Sequence, residues 1–183
     1  HCHHVVDVIT LIGKPTLRTL DTATTRSQSQ HHQQFLRDET QRDLAKGVVS
    51  ICPQNWFNNP HIKEVRSYRF VIEQKTKLRA VSQVKQTNLA IELPHTIFPT
   101  FDSLIPKEAD PAQLFSGLDL RDAYHSIRYL QFEEWVRTRY KPGVEEYYYV
   151  ITYEEDGKVY RYNCLTFGLC DAPAFYTTVL QSV

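Results

Sequence analysis

The stretch FSGLDLRDAYHSI, residues 115–127, decides how this chain is read. Its first half has the composition of a buried strand, Leu114 to Leu120, and Asp119 stands inside the apolar run Leu118-Asp119-Leu120. An ionised carboxylate is expensive to bury without a partner. It is tolerated where it projects from a strand end toward a hard cation, and two further carboxylates would ordinarily complete a site for a metal carrying a triphosphate. Taken alone, an Asp at a strand end is more often a turn former or a helix N-cap. The weight of the reading therefore falls on what surrounds it.

A second stretch, YRYNCLTFGLCDAPAFYTTVLQSV, covers residues 160–183. Tyr160, Tyr162 and Cys164 alternate with Arg161 and Asn163, the pattern of a half-exposed strand. Phe167-Gly168-Leu169 then reads as a tight loop, where Gly168 allows backbone angles closed to other residues or the close approach of a partner. Asp171 is placed to cap a helix and Pro173 to sit in its first turn, followed by Phe175, Tyr176, Val179 and Leu180 at helical spacing. By itself this is equally an ordinary strand, loop and core helix.

In order, the two stretches resemble the first and second catalytic motifs of reverse transcriptases, the second being usually PFGLxxAPxxF. Further segments extend the likeness across nearly the whole chain. DLAKGVVSICPQNW (43–56) resembles the leader of gypsy-type retrotransposon polymerases, and FVIEQKTKLRAVSQVKQTNL (70–89) their fingers segment. HTIFPTFDSLI (95–105) resembles the segment preceding the first motif, and HHVVDVITLIGKPTLRTL (3–20) the opening of that domain. The resemblance implies an α+β fold: right-hand polymerase fingers and a partial palm, with an antiparallel sheet backed by helices. It divides the chain into a leader and helix (1–47), a fingers-like region (48–113) and a partial palm (114–183).

The resemblance also assigns roles. Asp119 matches the catalytic aspartate, a ligand of two Mg2+ ions, and Leu120 the neighbour whose carbonyl reaches one of them. Tyr124 matches the steric gate that crowds the sugar 2′ position and favours deoxyribonucleotides. Asp122 and Ala123 match the turn whose amides face the triphosphate. Arg79 matches the fingers arginine that folds onto the triphosphate, a task suited to guanidinium geometry. Lys75 and Lys77 are candidate phosphate contacts, although lysines on a hairpin are often simply solvated. Phe167 and Gly168 match the loop beside the nascent base pair, and Asn88 the asparagine that closes the fingers motif, in a structural role. The implied partners are an RNA or DNA template with its primer, deoxynucleoside triphosphates, and the rest of a polyprotein supplying the remaining palm and a thumb, with or without a ribonuclease H domain. The implied setting is intracellular, in a cytoplasmic virus-like particle.

Departures from the family pattern fall mainly on the fingers. Glu73 and Gln74 occupy the usual lysine region, no glycine separates Lys75 from Arg79, and Gln83 and Lys85 replace an acid and an arginine. Thr166 replaces a proline, and the link from Arg128 to Tyr162 is long, holding a hairpin expected to turn at Asp156-Gly157. No adjacent Asp-Asp pair of the kind that forms the second acidic motif occurs in the sequence. One carboxylate does not hold two magnesium ions with useful affinity, so this polypeptide is expected not to polymerise alone. The alternative is a non-catalytic nucleic-acid-binding module or a decayed retroelement remnant.

Composition bounds these readings. The 183 residues carry 21 Lys and Arg against 21 Asp and Glu, so no global basic field draws nucleic acid, and any template contact rests on local clusters such as Lys75 to Lys85. No apolar run is long enough to span a bilayer, which argues against a membrane partner. The absence of methionine suggests a piece of a larger polyprotein. The four cysteines form no C-x-x-C pair and read as reduced thiols. Locally, a helix is expected from about His31 to Lys46 with Gly47 ending it, a loop over 48–62, and strands at Tyr68 to Glu73 and Lys77 to Ser82. A short helix is expected near Ser103 to Ile105.

Overall fold

A computed structural model of the chain describes residues 5–6, 28–90, 98, 122–145 and 147–181. Strands are named β1 (Val5–Val6), β2 (Val49–Ile51), β3 (Ile62–Arg66), β4 (Tyr68–Gln74), β5 (Lys77–Gln83), β6 (Arg128–Tyr129), β7 (Tyr148–Glu155) and β8 (Lys158–Tyr162). Helices are α1 (Gln30–Ala45), α2 (Lys85–Ala90), α3 (Phe132–Thr138) and α4 (Ala172–Gln181), with 3-10 turns at Gln54–Asn58 and Ala123–Ser126.

The sheet grows from the β7–β8 hairpin. Its strands are rich in tyrosine and β-branched residues, and its two-residue turn is Asp156-Gly157, as expected. Both turn residues have positive φ, 49° and 71°, which is the geometry that matches the twist of the flanking strands. Around this hairpin the strand order is β2-β8-β7-β3. The expectation of an antiparallel sheet is corrected here. β2–β8 and β7–β8 are antiparallel, but β3 runs parallel to β7, with Ile62 opposite Tyr148 and Arg66 opposite Thr152, so the sheet is mixed. No turn joins β3 to β7, so nothing local in the sequence sets their relative direction. The loop expected over 48–62 is likewise corrected, since it holds β2 and the 3-10 turn.

Side chains alternate across β7 and divide two apolar clusters between its faces. Ile151 and Tyr153 join Tyr160, Tyr162, Val49, Ile127, Leu165 and Leu169 in the larger cluster. Tyr148 and Val150 join Ile62, Leu130 and Trp135 in the smaller one, with Trp56, Phe132 and Tyr140 packed around them. β7 is therefore buried on both faces, and its centre, Val150 to Tyr153, is buried without a break. Arg161, on the opposite side of β8 from Tyr160 and Tyr162, lays its guanidinium over Trp56 at 4.3 Å from the ring centroid.

Helix α1 begins on Ser29, whose hydroxyl accepts from the His32 amide at 3.2 Å. It ends at Gly47, where φ is +68°. There the Gly47 amide donates to the Leu44 carbonyl (3.0 Å) and the Val48 amide to the Asp43 carbonyl (2.9 Å). This pair of bonds satisfies the last turn and sends the chain straight into β2. The helix buries Leu36 and Thr40, and rests against β2, β4 and β5.

β4 and β5 form the expected hairpin, from Tyr68 opposite Gln83 to Gln74 opposite Lys77. The glycine missing from its turn is replaced by Lys75, which takes φ +29° itself. α4 follows Asp171 as expected, with the Asp171 carbonyl accepting from the Phe175 amide at 3.0 Å. α3 was not expected from the sequence. The strand expected at 114–120 and the short helix near 103–105 lie outside the described residues. Among the described residues no helix is long and apolar enough to cross a membrane.

Candidate functional site

Backbone pairing brings the two motifs together. The chain leaving the first motif runs antiparallel to the chain arriving at the second. The Tyr129 amide donates to the Asn163 carbonyl at 2.9 Å, and the Leu165 amide to the Ile127 carbonyl at 2.8 Å, around an Arg128–Cys164 bridge. With Ile127, Cys164 and Leu165 each only 1% exposed, this register is held by the core. A slip of one residue would turn those apolar side chains toward the opposite face.

The register sets Tyr124 beside Phe167, with ring centroids 5.0 Å apart and planes tilted by 51°. Tyr124 also meets Tyr176 of α4 edge-on at 5.6 Å, and His125 meets Phe167 edge-on at 5.3 Å. These are favourable aromatic geometries, each worth about 0.5–1.5 kcal/mol beyond burial. Phe167 is nevertheless 50% exposed, so the cluster is an aromatic floor open on one side. His125 was not singled out from the sequence, where nothing distinguishes it from the other histidines. Burial pushes its pKa down, with Asp43 and Asp122 pulling the other way, so it favours the neutral ring.

Asp122 and Ala123 open the turn that carries Tyr124. Asp122 adopts a left-handed conformation with φ +52°, and its carbonyl accepts from the His125 amide at 2.9 Å. Lys46, just beyond α1, reaches the Asp122 carboxylate at 3.2 Å. Both side chains are about half exposed, so this pair guides the turn more than it stabilises the fold.

The Phe167-Gly168 loop is fixed from the side of β5 and the residues that follow it. Gly168 has φ +95°, and a methyl group in place of its hydrogen would lie 3.1 Å from the Ser82 carbonyl and 3.4 Å from Val84 Cγ2. The glycine therefore serves both uses anticipated for it, backbone freedom and close approach. Asn88 supplies the second anchor. Its amide nitrogen donates to the Gly168 carbonyl at 2.8 Å, and its amide oxygen accepts from the Cys170 amide at 3.0 Å. Nearby, the Ser82 and Tyr162 hydroxyls are hydrogen-bonded, joining β5 to β8.

The basic residues stand apart from this cluster. Lys75, Lys77 and Arg79 are all exposed, and Lys77 and Arg79 share one face of β5. Arg79 lies three residues from Ser82, or about 10 Å along the strand. The hairpin thus presents its cations beyond the aromatic floor, on the element that packs against Gly168.

Asp171, 1% exposed, carries an Oδ1 atom without a hydrogen-bond partner among the described residues. Burial pushes its carboxyl upward from the usual range, while its own amide pulls it back. The Tyr129 hydroxyl is also buried; burial, with Asp171 nearby, raises its pKa, while the Thr166 backbone pulls it back.

Asp119 and Leu120, the metal ligands implied by the resemblance, lie outside the described residues. Among the described residues, no group of three or more His, Cys, Asp or Glu side chains is placed to hold a metal ion. Cys52, Cys164 and Cys170 are free thiols. No protein-family model matches the chain, and no curated protein matches it.

Proposed function

We propose that this chain is the fingers and part of the palm of a retroelement reverse transcriptase, an RNA-directed DNA polymerase that extends a primer 3′-hydroxyl with deoxynucleotides on an RNA or DNA template. One observation carries the reading. Tyr124 and the Phe167-Gly168 loop, which the two motifs require at one site, are in ring contact although residues 128–159 separate the two stretches. The fingers segment supports it, because the strand carrying Arg79 continues into Ser82 and Val84 against that same loop.

In this reading Tyr124 bars a 2′-hydroxyl sterically, since it is backed by Phe167 and Tyr176 and cannot retreat without breaking both contacts. Arg79, Lys75 and Lys77 attract the triphosphate and the backbone of the template. With a net charge of zero, that attraction is local and falls with salt. The magnesium ions of such an enzyme would be held by Asp119 and the Leu120 carbonyl together with the carboxylates of a second acidic motif. What falls to the described residues is steric and electrostatic: shaping the sugar pocket and holding phosphates.

Primer extension by the parent polypeptide on an RNA template tests the proposal. Asp119→Asn abolishes synthesis, and Tyr124→Val raises ribonucleotide incorporation while leaving deoxynucleotide incorporation measurable. The 183-residue chain alone gives no extension. Undiminished synthesis by the Asp119→Asn protein would refute the assignment.

A further inference from the structure

We propose that Asn88 is a positioning residue for Tyr124, acting through the Phe167-Gly168 loop, and so sets how strongly the site discriminates between sugars. The inference deepens the polymerase reading and rests on it for the sugar consequence, though not for the positioning itself.

The loop is pinned at its ends and free in its middle. Thr166 and Leu169 are each 3% exposed and fixed by the core, whereas Phe167 between them is 50% exposed. Burial therefore does not decide where the Phe167 ring lies; the backbone at 167–168 does. That backbone packs on one side against the Ser82 carbonyl and Val84, but Gly168 at φ +95° leaves its peptide planes free to turn. Asn88 supplies the missing restraint by bridging the Gly168 carbonyl and the Cys170 amide with one planar side chain. An amide that donates at one end and accepts at the other fixes both the distance and the orientation of two peptide groups. The bridge crosses from the end of the fingers segment to the palm motif, so its loss frees the loop without removing anything from the core.

Phe167 is in turn one of the two rings that hold Tyr124 among the described residues. Loss of the Asn88 bridge lets Phe167 move outward, and Tyr124 gains the room that a 2′-hydroxyl needs. His125, on the other edge of Phe167, moves with it. Asn88 touches none of the reacting atoms in this scheme.

The test uses the chain with 3-fluorotyrosine in place of its eleven tyrosines, the Tyr124 resonance being identified by Tyr124→Phe. Asn88→Ala shifts or broadens the Tyr124 signal and leaves those of Tyr153 and Tyr160 in place. Asn88→Asp, which keeps the acceptor for Cys170 but loses the donor to Gly168, gives an intermediate change. Asn58→Ala, an exposed asparagine elsewhere, gives none. A Tyr124 signal unmoved by Asn88→Ala, or one that moves only together with the core tyrosines, overturns the proposal. A second arm measures incorporation of GTP against dGTP by the parent polypeptide, where Asn88→Ala lowers the preference for the deoxynucleotide about fivefold, the scale of one lost hydrogen bond. An unchanged preference beside a shifted resonance overturns the sugar-selection role. If the unsubstituted protein incorporates neither nucleotide while the resonance still shifts, the polymerase reading fails and the positioning of Tyr124 stands.

Discussion

Substituting Asp43 by Asn tests the junction where α1 meets both the β4–β5 hairpin and the central sheet. Arg69 of β4 is held there by two other elements at once, α1 and β7. Its Nη2 meets Asp43 Oδ2 at 3.1 Å, and its Nη1 donates to Thr40 Oγ1 at 2.8 Å and to the Tyr153 hydroxyl at 3.1 Å. The guanidinium also lies 4.8 Å from the centre of the Tyr153 ring. The side chains of Arg69 and Asp43 are only 8% and 14% exposed, so water screens the pair little. Removing one partner of a buried ion pair costs about 3–5 kcal/mol because it strands the other charge. Here Arg69 keeps Thr40, Tyr153 and the ring face, so the expected loss is smaller, about 2–3 kcal/mol. For a chain of this length that lowers Tm by about 5–10 °C. Urea unfolding at low salt and in 1 M NaCl is the assay, and the loss persists in both because a buried pair is insensitive to ionic strength. Asp156→Asn is the control. It breaks the Arg37–Asp156 pair, whose side chains are 43% and 56% exposed, and its small effect vanishes in 1 M NaCl. A loss below about 0.5 kcal/mol for Asp43→Asn, or one erased by salt, would show that the junction is not the buried anchor described.

Other substitutions address single features. Gly168→Ala combines a disallowed φ with a methyl group 3.1 Å from the Ser82 carbonyl, and lowers stability by about 2 kcal/mol in urea titrations. Lys75→Gly relieves the left-handed turn residue of the β4–β5 hairpin, and raises stability by about 0.5–1 kcal/mol in the same assay. Asp171→Asn keeps a good N-cap while removing a buried carboxylate whose pKa is raised by burial. The raised folded pKa means that Asp171 favours the native state when protonated and opposes it once ionised. The Asn variant is therefore the more stable protein at pH 7, and its advantage fades below about pH 4, where the carboxyl is protonated in both states. Melting curves across pH 3.5 to 7.5 check this, and an advantage that grows on acidification contradicts it.

Much of the local structure was legible in the sequence because local chemistry sets it. Asp156-Gly157 turns the β7–β8 hairpin, Gly47 stops α1, and the Tyr160-Tyr162-Cys164 alternation buries one face of β8 and its extension. The hairpin at Lys75 formed although its glycine was absent, since seven paired residues on each strand outweigh one strained turn residue. α3 escaped notice because it is short, and its apolar residues serve a cluster assembled from distant segments. Of the candidate site, Tyr124 and Phe167 were identified as motif residues and stand together. His125 and the reach of Lys46 to Asp122 were not foreseen, because both depend on contacts between segments far apart in the chain.

The sequence by itself determined where α1 stops and where the β4–β5 and β7–β8 hairpins turn, because capping, turn geometry and alternation act within a few residues. The tertiary structure alone decided that β3 lies parallel to β7, that Asn88 bridges the Phe167-Gly168 loop, and that Arg69 joins three elements. Those outcomes depend on burying two faces of one central strand at once, a condition that the whole chain satisfies and no single segment expresses.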